Sequence, residues 1–406
     1  MPGLPPDGVP VPADGRLPEA ALDGLGKHPF GIYVHVPFCV TRCGYCDFNT
    51  YTAAELGSGA SRASYAGQAI EEIRLARRVL RPADKPVSTV FFGGGTPTLL
   101  PPADIGAILR AIDAEFGLAP GAEVTTEANP ETVDAGVLAE LRRQGLTRLS
   151  LGMQSSVGHV LAVLDRVHEP GRPQRCVGWA RAAGFEHVSL DLIYGTPGES
   201  DDDWARSLDS ALAAGPDHIS AYALIVEHGT RLAARIRRGE LAAPDDDAMA
   251  DRYLAADERL GIAGLGWYEI YNWAAGEKAQ CRHNLLYWTG GDWWGIGPGA
   301  HSHVGGVRWW NVRHPAAYAE RIAAGRSPGQ AREILTAAER RTEQIMLLTR
   351  LASGCPLGEL RPPGRSAAAL AAADGLVSTQ ALADGQVVLT LRGRLLADAV
   401  IRGLTD

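Results

Sequence analysis

The chain has 406 residues, of which 46% are apolar, 21% charged and 7% aromatic, and its 39 basic and 47 acidic side chains give a formal net charge of -8. This is the makeup of a folded globular protein with one large domain and one or two smaller ones, and the acidic balance argues against a protein that reads a nucleic-acid backbone, so no nucleic-acid partner is expected. No apolar run reaches the ~18 residues of a membrane-spanning helix, and the start lacks the basic and apolar regions of a signal peptide, so the expected location is cytoplasmic.

Residues 1–28, rich in Pro, Gly, Asp and Ala without apolar periodicity, read as a flexible leader. From residue 29 to about 240, short β-branched runs alternate with helical patterns, as βα units on a parallel sheet do. Strands are expected at 31–36, 87–92, 123–127, 147–152, 187–194 and 218–224, with helices at 61–80, 102–116, 131–144, 174–183 and 202–214 between them. Six such units fit either a doubly wound sheet or an open, partial barrel. The section 241–330 holds a helical stretch at 245–260 and then seven of the nine tryptophans, between Trp267 and Trp310. Residues 331–406 combine helical patterns at 339–351, 366–373 and 395–403 with an alternating run at 387–391, which suggests a small winged-helix-like domain. It carries no concentrated basic stripe and reads as a lid or partner surface.

The unusual residues collect at the ends of the expected strands, where α/β enzymes of both architectures build their sites. Six cysteines are too few for a disulfide scaffold. Three of them, Cys39, Cys43 and Cys46, form C-x3-C-x2-C just after the first strand, and the others, Cys176, Cys281 and Cys355, read as ordinary buried thiols. Three close thiolates suit either a zinc ion with a distant fourth ligand or an iron-sulfur cluster with one open iron. Gly93-Gly94-Gly95-Thr96-Pro97 after the second strand lacks the Lys-Ser/Thr ending of a phosphate loop. It serves as a tight turn or lets backbone approach a ligand.

Cys39-Val-Thr-Arg-Cys43-Gly-Tyr-Cys46, following Tyr33-Val-His35-Val-Pro37-Phe38, resembles the radical S-adenosylmethionine (SAM) superfamily, specifically its HemN-like branch. The resemblance implies an α/β fold with a partial (β/α)6 TIM-like barrel and a small C-terminal winged-helix-like domain. It further implies a [4Fe-4S] cluster on Cys39, Cys43 and Cys46, whose fourth iron binds SAM, and SAM contacts at Tyr33, Gly94, Gly95, Thr96, Glu127, Gln154, Arg166, Asp191 and Ala223. Arg166 has the clearest physical case, since a guanidinium grips a carboxylate by two parallel hydrogen bonds.

Within that branch, the oxygen-independent coproporphyrinogen III dehydrogenase carries an extra cysteine two residues after the third, where this chain has Phe48. Cys46-Asp47-Phe48-Asn49-Thr50 and His283-Asn284-Leu285-Leu286-Tyr287-Trp288 are instead similar to the branch's heme-chaperone group. That likeness implies heme binding at His283, Tyr287 and Trp288, delivery to hemoprotein acceptors of the respiratory chain, peripheral contact at the inner face of the membrane, a low-potential electron donor and a homodimer. Imidazole is a good axial ligand, and aromatic faces suit a porphyrin. Trp293, Trp294, Trp309 and Trp310 would extend the same surface, with His301 and His303 as rival ligands; alternatively the tryptophans form a core and His283 is a buried, hydrogen-bonded residue. Coproporphyrinogen III decarboxylation and a structural zinc protein stay as the two other readings.

Overall fold

The computed structural model describes residues 8–26, 28–57, 59–80 and 86–405. After a two-residue strand β1 (Val9–Pro10), six strands follow in which apolar and polar side chains alternate: β2 (Phe30–Val36), β3 (Val87–Gly94), β4 (Leu118–Ala128), β5 (Arg148–Gln154), β6 (His187–Tyr194) and β7 (His218–Ala223). One set, including Ile32, Val34, Val90, Phe92, Leu149, Leu151, Val188 and Leu190, is fully buried and shares one core with helical residues such as Ile73, Ile105, Leu138, Val177 and Leu208. The other set includes Thr125, Glu127, Arg148, Ser150, Ser189, Asp191, His218 and Ser220, and all of these line one cavity. A closed (β/α)8 barrel fills its interior with bulky branched residues. Here the inward face mixes polar side chains with aromatic ones such as Tyr33 and Phe91, and the curved sheet encloses a chamber.

Strands β2 to β7 run parallel, each beside the next. The remaining strands are β8 (Gly266–Glu269), β9 (Asn272–Ala274), β10 (Asp292–Ile296), β11 (His301–Val304), β12 (Val307–Asn311) and β13 (Gly329–Ile334). The order β1-β13-β12-β11-β10-β2-β3-β4-β5-β6-β7-β9-β8 does not return to its start, so the barrel is partial and open. All six expected strands are present. Sequence reading missed β10, a seventh parallel strand beside β2, because Asp292-Trp293-Trp294-Gly295-Ile296 carries no simple alternation. The helix expected at 131–144 starts at Ala135, since Asp134 caps it through Val137 N and Pro130–Thr132 forms a separate 3-10 turn.

One expectation is corrected. Where residues 1–28 read as a flexible leader, Val9 and Pro10 pair with Arg332 and Ala331 at the sheet edge, and Ala21 is buried in the main core; residues 1–7 and 27 lie outside the described residues. A backbone ladder to a distant edge strand leaves no hydrophobic pattern in so short a segment. Of the two readings of the tryptophan section, three of its members follow the core. Trp294, Trp309 and Trp310 are buried, with Trp294 edge-on to Trp309 at 4.8 Å.

The C-terminal region has its own core around Ile345, Leu360, Val377, Val400 and Leu404. Helices Ala337–Leu348, Pro362–Ala373 and Ala397–Thr405 surround a two-stranded sheet of β14 (Cys355–Pro356) and β15 (Gln386–Val387). The alternating run at 387–391 is cut short because the Thr390 side chain caps a helix at Leu391–Leu395. Arg394 ties this region to the helix Asp246–Ile262 by two bonds to Asp257, at 2.7 and 2.8 Å, and its guanidinium lies 4.4 Å from the Trp267 ring centre. Arg394 is buried and Asp257 partly exposed, and removing the guanidinium leaves that carboxylate with the Trp273 indole N–H and without its counter-charge. Arg394→Ala is therefore expected to lower stability by about 3 kcal/mol in urea unfolding, whereas a loss below 1 kcal/mol would mean the pair is not a tether. Among the described residues, no helix is long and apolar enough to cross a membrane.

Candidate functional site

The loop after β2 carries the three cysteines toward the chamber. Its ends are fastened by Cys39 N to Tyr51 O at 3.1 Å and Tyr51 N to Pro37 O at 2.7 Å, and Cys46 N closes a turn on Cys43 O at 3.2 Å. Cys39, Cys43 and Cys46 are free thiols, half-buried, and all three line the cavity. Burial pushes the Cys39 thiol up and the Cys46 thiol up to about 11. A thiophilic metal group must therefore displace protons to bind. Among the described residues no three His, Cys, Asp or Glu side chains converge on a single ion. The donor set, all thiols with no fourth protein ligand beside them, suits a multi-iron cluster with an open position better than a closed zinc site.

The glycine turn serves this loop. Thr96 N donates to Phe38 O at 2.8 Å and Gly95 N to Val36 O at 2.8 Å. A Cβ at Gly95 would stand 2.5 Å from Phe38 O, and Gly94 combines φ +108° with a Cβ position 2.6 Å from the His35 ring. Only glycine permits both. Gly94 N also donates to Glu127 Oε2 at 3.0 Å, and the Thr96 hydroxyl reaches Cys39 Sγ at 3.9 Å.

Glu127 from β4 and Asp191 from β6 line the same chamber, on strands separated by β5. Burial, with the nearby Asp191 charge, pushes Glu127 up to about 8. Burial raises Asp191 as well, opposed by hydrogen bonds from Ser220 and Ser150, the latter at 2.9 Å. Two buried carboxyls with raised pKa values would be relieved by a cationic ligand. Gln154 sits at a register shift between β5 and β6 with φ +62°, a strained position for a residue with a side chain. Tyr33, whose hydroxyl bonds His35 Nδ1 at 3.0 Å, and Ala223 at the end of β7 complete the set. Thus Tyr33, Gly94, Gly95, Thr96, Glu127, Gln154, Arg166, Asp191 and Ala223 all line the cavity that the cysteines line.

Arg166 is placed there differently from expectation. Its Nη1 donates to Asn129 Oδ1 at 3.1 Å and approaches Cys43 Sγ at 3.8 Å, while Nη2 donates to Gly152 O at 2.8 Å. The two-pronged edge is therefore engaged by the protein, and Nε is the buried N–H left without a partner. Sequence reading missed Asn129, which also donates to Thr96 Oγ1 at 3.1 Å and so links the glycine turn to Arg166. Its position two residues after Glu127, at the end of β4, was the available signal.

The heme-motif residues separate. His283 lies within the chamber wall, fully buried and stacked on Phe91 at 5.3 Å. Its Nδ1 pairs with Thr89 Oγ1 at 2.8 Å, its Nε2 with Tyr287 OH at 2.8 Å, and burial lowers its pKa to about 3. Tyr287 lines the cavity, but Trp288 does not; it packs on the C-terminal core. Consecutive residues of the helix Arg282–Trp288 point about 100° apart, so Tyr287 and Trp288 do not share one porphyrin face. Trp293, edge-on to Tyr287 at 4.6 Å and 5.2 Å from His303, continues the aromatic line outward.

The open barrel, with three thiols on the loop after β2 and a chamber lined by buried carboxyls and aromatic rings, is the architecture of a radical SAM protein, and the radical SAM superfamily model matches residues 33–211. The chain is 54% identical over 393 residues to the heme chaperone HemW of Mycobacterium tuberculosis, covering 96% of this chain and 99% of that one. It is 36% identical to the Synechocystis heme chaperone HemW, covering 82% and 80% of the two chains, and 36% identical to that of Escherichia coli, covering 68% and 70%. The structure of the Escherichia coli coproporphyrinogen III oxidase HemN superposes with a TM-score of 0.80 at 22% identity, covering 97% of this chain and 94% of that one, a likeness of fold. The chain belongs to the HemW family of the radical SAM superfamily.

Proposed function

We propose that this protein is a heme chaperone, holding a [4Fe-4S] cluster on Cys39, Cys43 and Cys46, binding SAM across the strand ends, and binding heme for transfer to hemoproteins. The observation that carries the reading is the near full-length likeness to proteins named as heme chaperones. When bound, the cluster supplies a Lewis-acidic iron and a reducing electron for SAM. The residues of this chain then do the rest. Glu127 takes the ligand's cationic end, Asp191 and Ser150 offer a polar edge, Arg166 and Asn129 brace the glycine turn against the cysteine loop, and Phe48, 60% exposed at the chamber mouth, offers apolar surface and no iron ligand. The proposal extends to respiratory hemoproteins as acceptors, peripheral contact at the inner face of the membrane, a flavodoxin- or ferredoxin-type electron donor and a homodimer.

His283 is the proposed axial ligand. Because its Nε2 bonds the Tyr287 hydroxyl, heme binding requires Tyr287 to turn aside. In a heme titration read at the Soret band, His283→Ala is expected to weaken binding about tenfold or more, and Tyr287→Phe, which frees Nε2, to leave it unchanged or tighten it. Unchanged binding in His283→Ala would remove His283 as ligand.

A further inference from the structure

The chamber continues past Glu127 to Thr125 and Arg148, two residues earlier on their strands, and this floor holds a charge that the cluster and SAM do not use. Arg148, the first residue of β5, is 1% exposed. Its Nη1 donates to Ala279 O at 2.7 Å, and its nearest carboxylate is Glu123 Oε2, 4.0 Å away. That carboxylate is already occupied, since it accepts from the backbone N–H groups of Arg282 at 3.2 Å and His283 at 3.0 Å. Arg148 Nη2 is buried with no partner, and so is Thr125 Oγ1. Thr125 and Arg148 are paired neighbours on β4 and β5, and both line the cavity.

A buried donor left unmade costs about 1–3 kcal/mol, more for a charged group. Two such groups on paired residues that line a chamber mark a place for an acceptor. The neighbouring imidazoles do not compete for it. His218 uses both ring nitrogens, on Ser189 Oγ at 2.7 Å and Tyr268 OH at 2.9 Å, and His283 uses both of its own. Beside the floor, in register with Thr125, Phe91 stacks on Tyr33 and on His283 and supplies an aromatic wall.

We propose that the chamber floor is a carboxylate-binding subsite, in which Arg148 Nη2 and Thr125 Oγ1 donate to a ligand carboxylate whose apolar stem lies along the wall of Phe91, Tyr33 and His283. A propionate arm of heme and a small free aryl-alkyl acid share this chemistry. The first source rests on the heme-chaperone reading, and the second does not.

The test measures dissociation constants of two pairs on the full chain: heme against heme dimethyl ester, and 3-phenylpropionate against 3-phenylpropionamide. It uses the wild type, Thr125→Val, and the double variant Glu123→Gln/Arg148→Gln, which removes both charges so that neither is stranded. The wild type is expected to prefer the acid over its neutral partner about 10–100-fold in at least one pair. Thr125→Val should reduce that preference several-fold, and the double variant should abolish it; if the double variant does not fold, Thr125→Val decides. Preference in the heme pair assigns the subsite to a propionate arm, and preference in the small-acid pair alone assigns it to a free acid. Absence of heme binding altogether would overturn the chaperone reading while the small-acid pair still judges the subsite. No acid preference in either pair, or a preference the variants leave intact, would mean that water fills the floor and would overturn the proposal.

Discussion

Cys43→Ala is expected to abolish cluster assembly, dropping the iron content after anaerobic reconstitution from about four atoms per chain to well below one. Three thiolates are the minimum this loop offers, and Cys281, a fully buried thiol pushed up to about 12 by burial, is engaged with Glu123 at 3.7 Å and cannot substitute. The variant should remain folded, because Cys43 is half-buried and loses weak thiol contacts, with Arg166 at 3.8 Å and with the Tyr45 hydroxyl. Unchanged thermal unfolding of the metal-free protein, together with lost iron and lost visible absorption, is the predicted pair of results. Assembly in the wild type should also improve as pH rises from 7 toward 9, since burial raises the Cys39 and Cys46 thiols and binding must release their protons. Iron retained at wild-type levels in Cys43→Ala would place the cluster elsewhere.

Glu127→Gln is expected to act in opposite directions on stability and on ligand binding. In the fold the carboxyl titrates at about 8, against an ordinary value of 4.5. The folded state thus favours the neutral acid. Below pH 4.5 the residue is neutral in both states and no stability is lost; between 4.5 and about 8 the unfolded chain ionises first, and folding stability falls as pH rises. Glutamine keeps the shape without the charge. The ligand-free variant should match the wild type near pH 5 and exceed it by a few kcal/mol near pH 9. SAM binding should weaken about 10–100-fold, because the ligand's ammonium loses its counter-charge. A variant less stable at every pH, or one that binds SAM as tightly as the wild type, would contradict this account of Glu127.

The parts of the fold legible in the sequence were those with local signals. Apolar residues at Ile32, Val34 and Val36, and again at Leu149 and Leu151, announce strands buried on their helix side, and the C-x3-C-x2-C spacing announces its chemistry without any tertiary knowledge. What escaped depends on partners far along the chain. Strand β10 is a strand because it lies beside β2, and β1 is ordered because it lies beside β13. Arg148 begins a strand and looks like a solvated charge until the curvature of the sheet turns it inward. Trp288 and Tyr287 adjoin in a motif, yet the helix that carries them sends one to the C-terminal core and the other to the chamber. Arg166 lines the chamber, but its neighbours Asn129 and Gly152, which occupy its two-pronged edge, have no signal in the spacing.

The most direct test of the central claim incubates the anaerobically reconstituted protein with SAM, a low-potential reductant and coproporphyrinogen III, and measures heme binding and transfer to an apo-hemoprotein on the same sample. A heme chaperone is predicted to bind heme, hand it to the acceptor and form no protoporphyrinogen. Protoporphyrinogen formed in turnover amounts, with no heme transfer, would contradict the account.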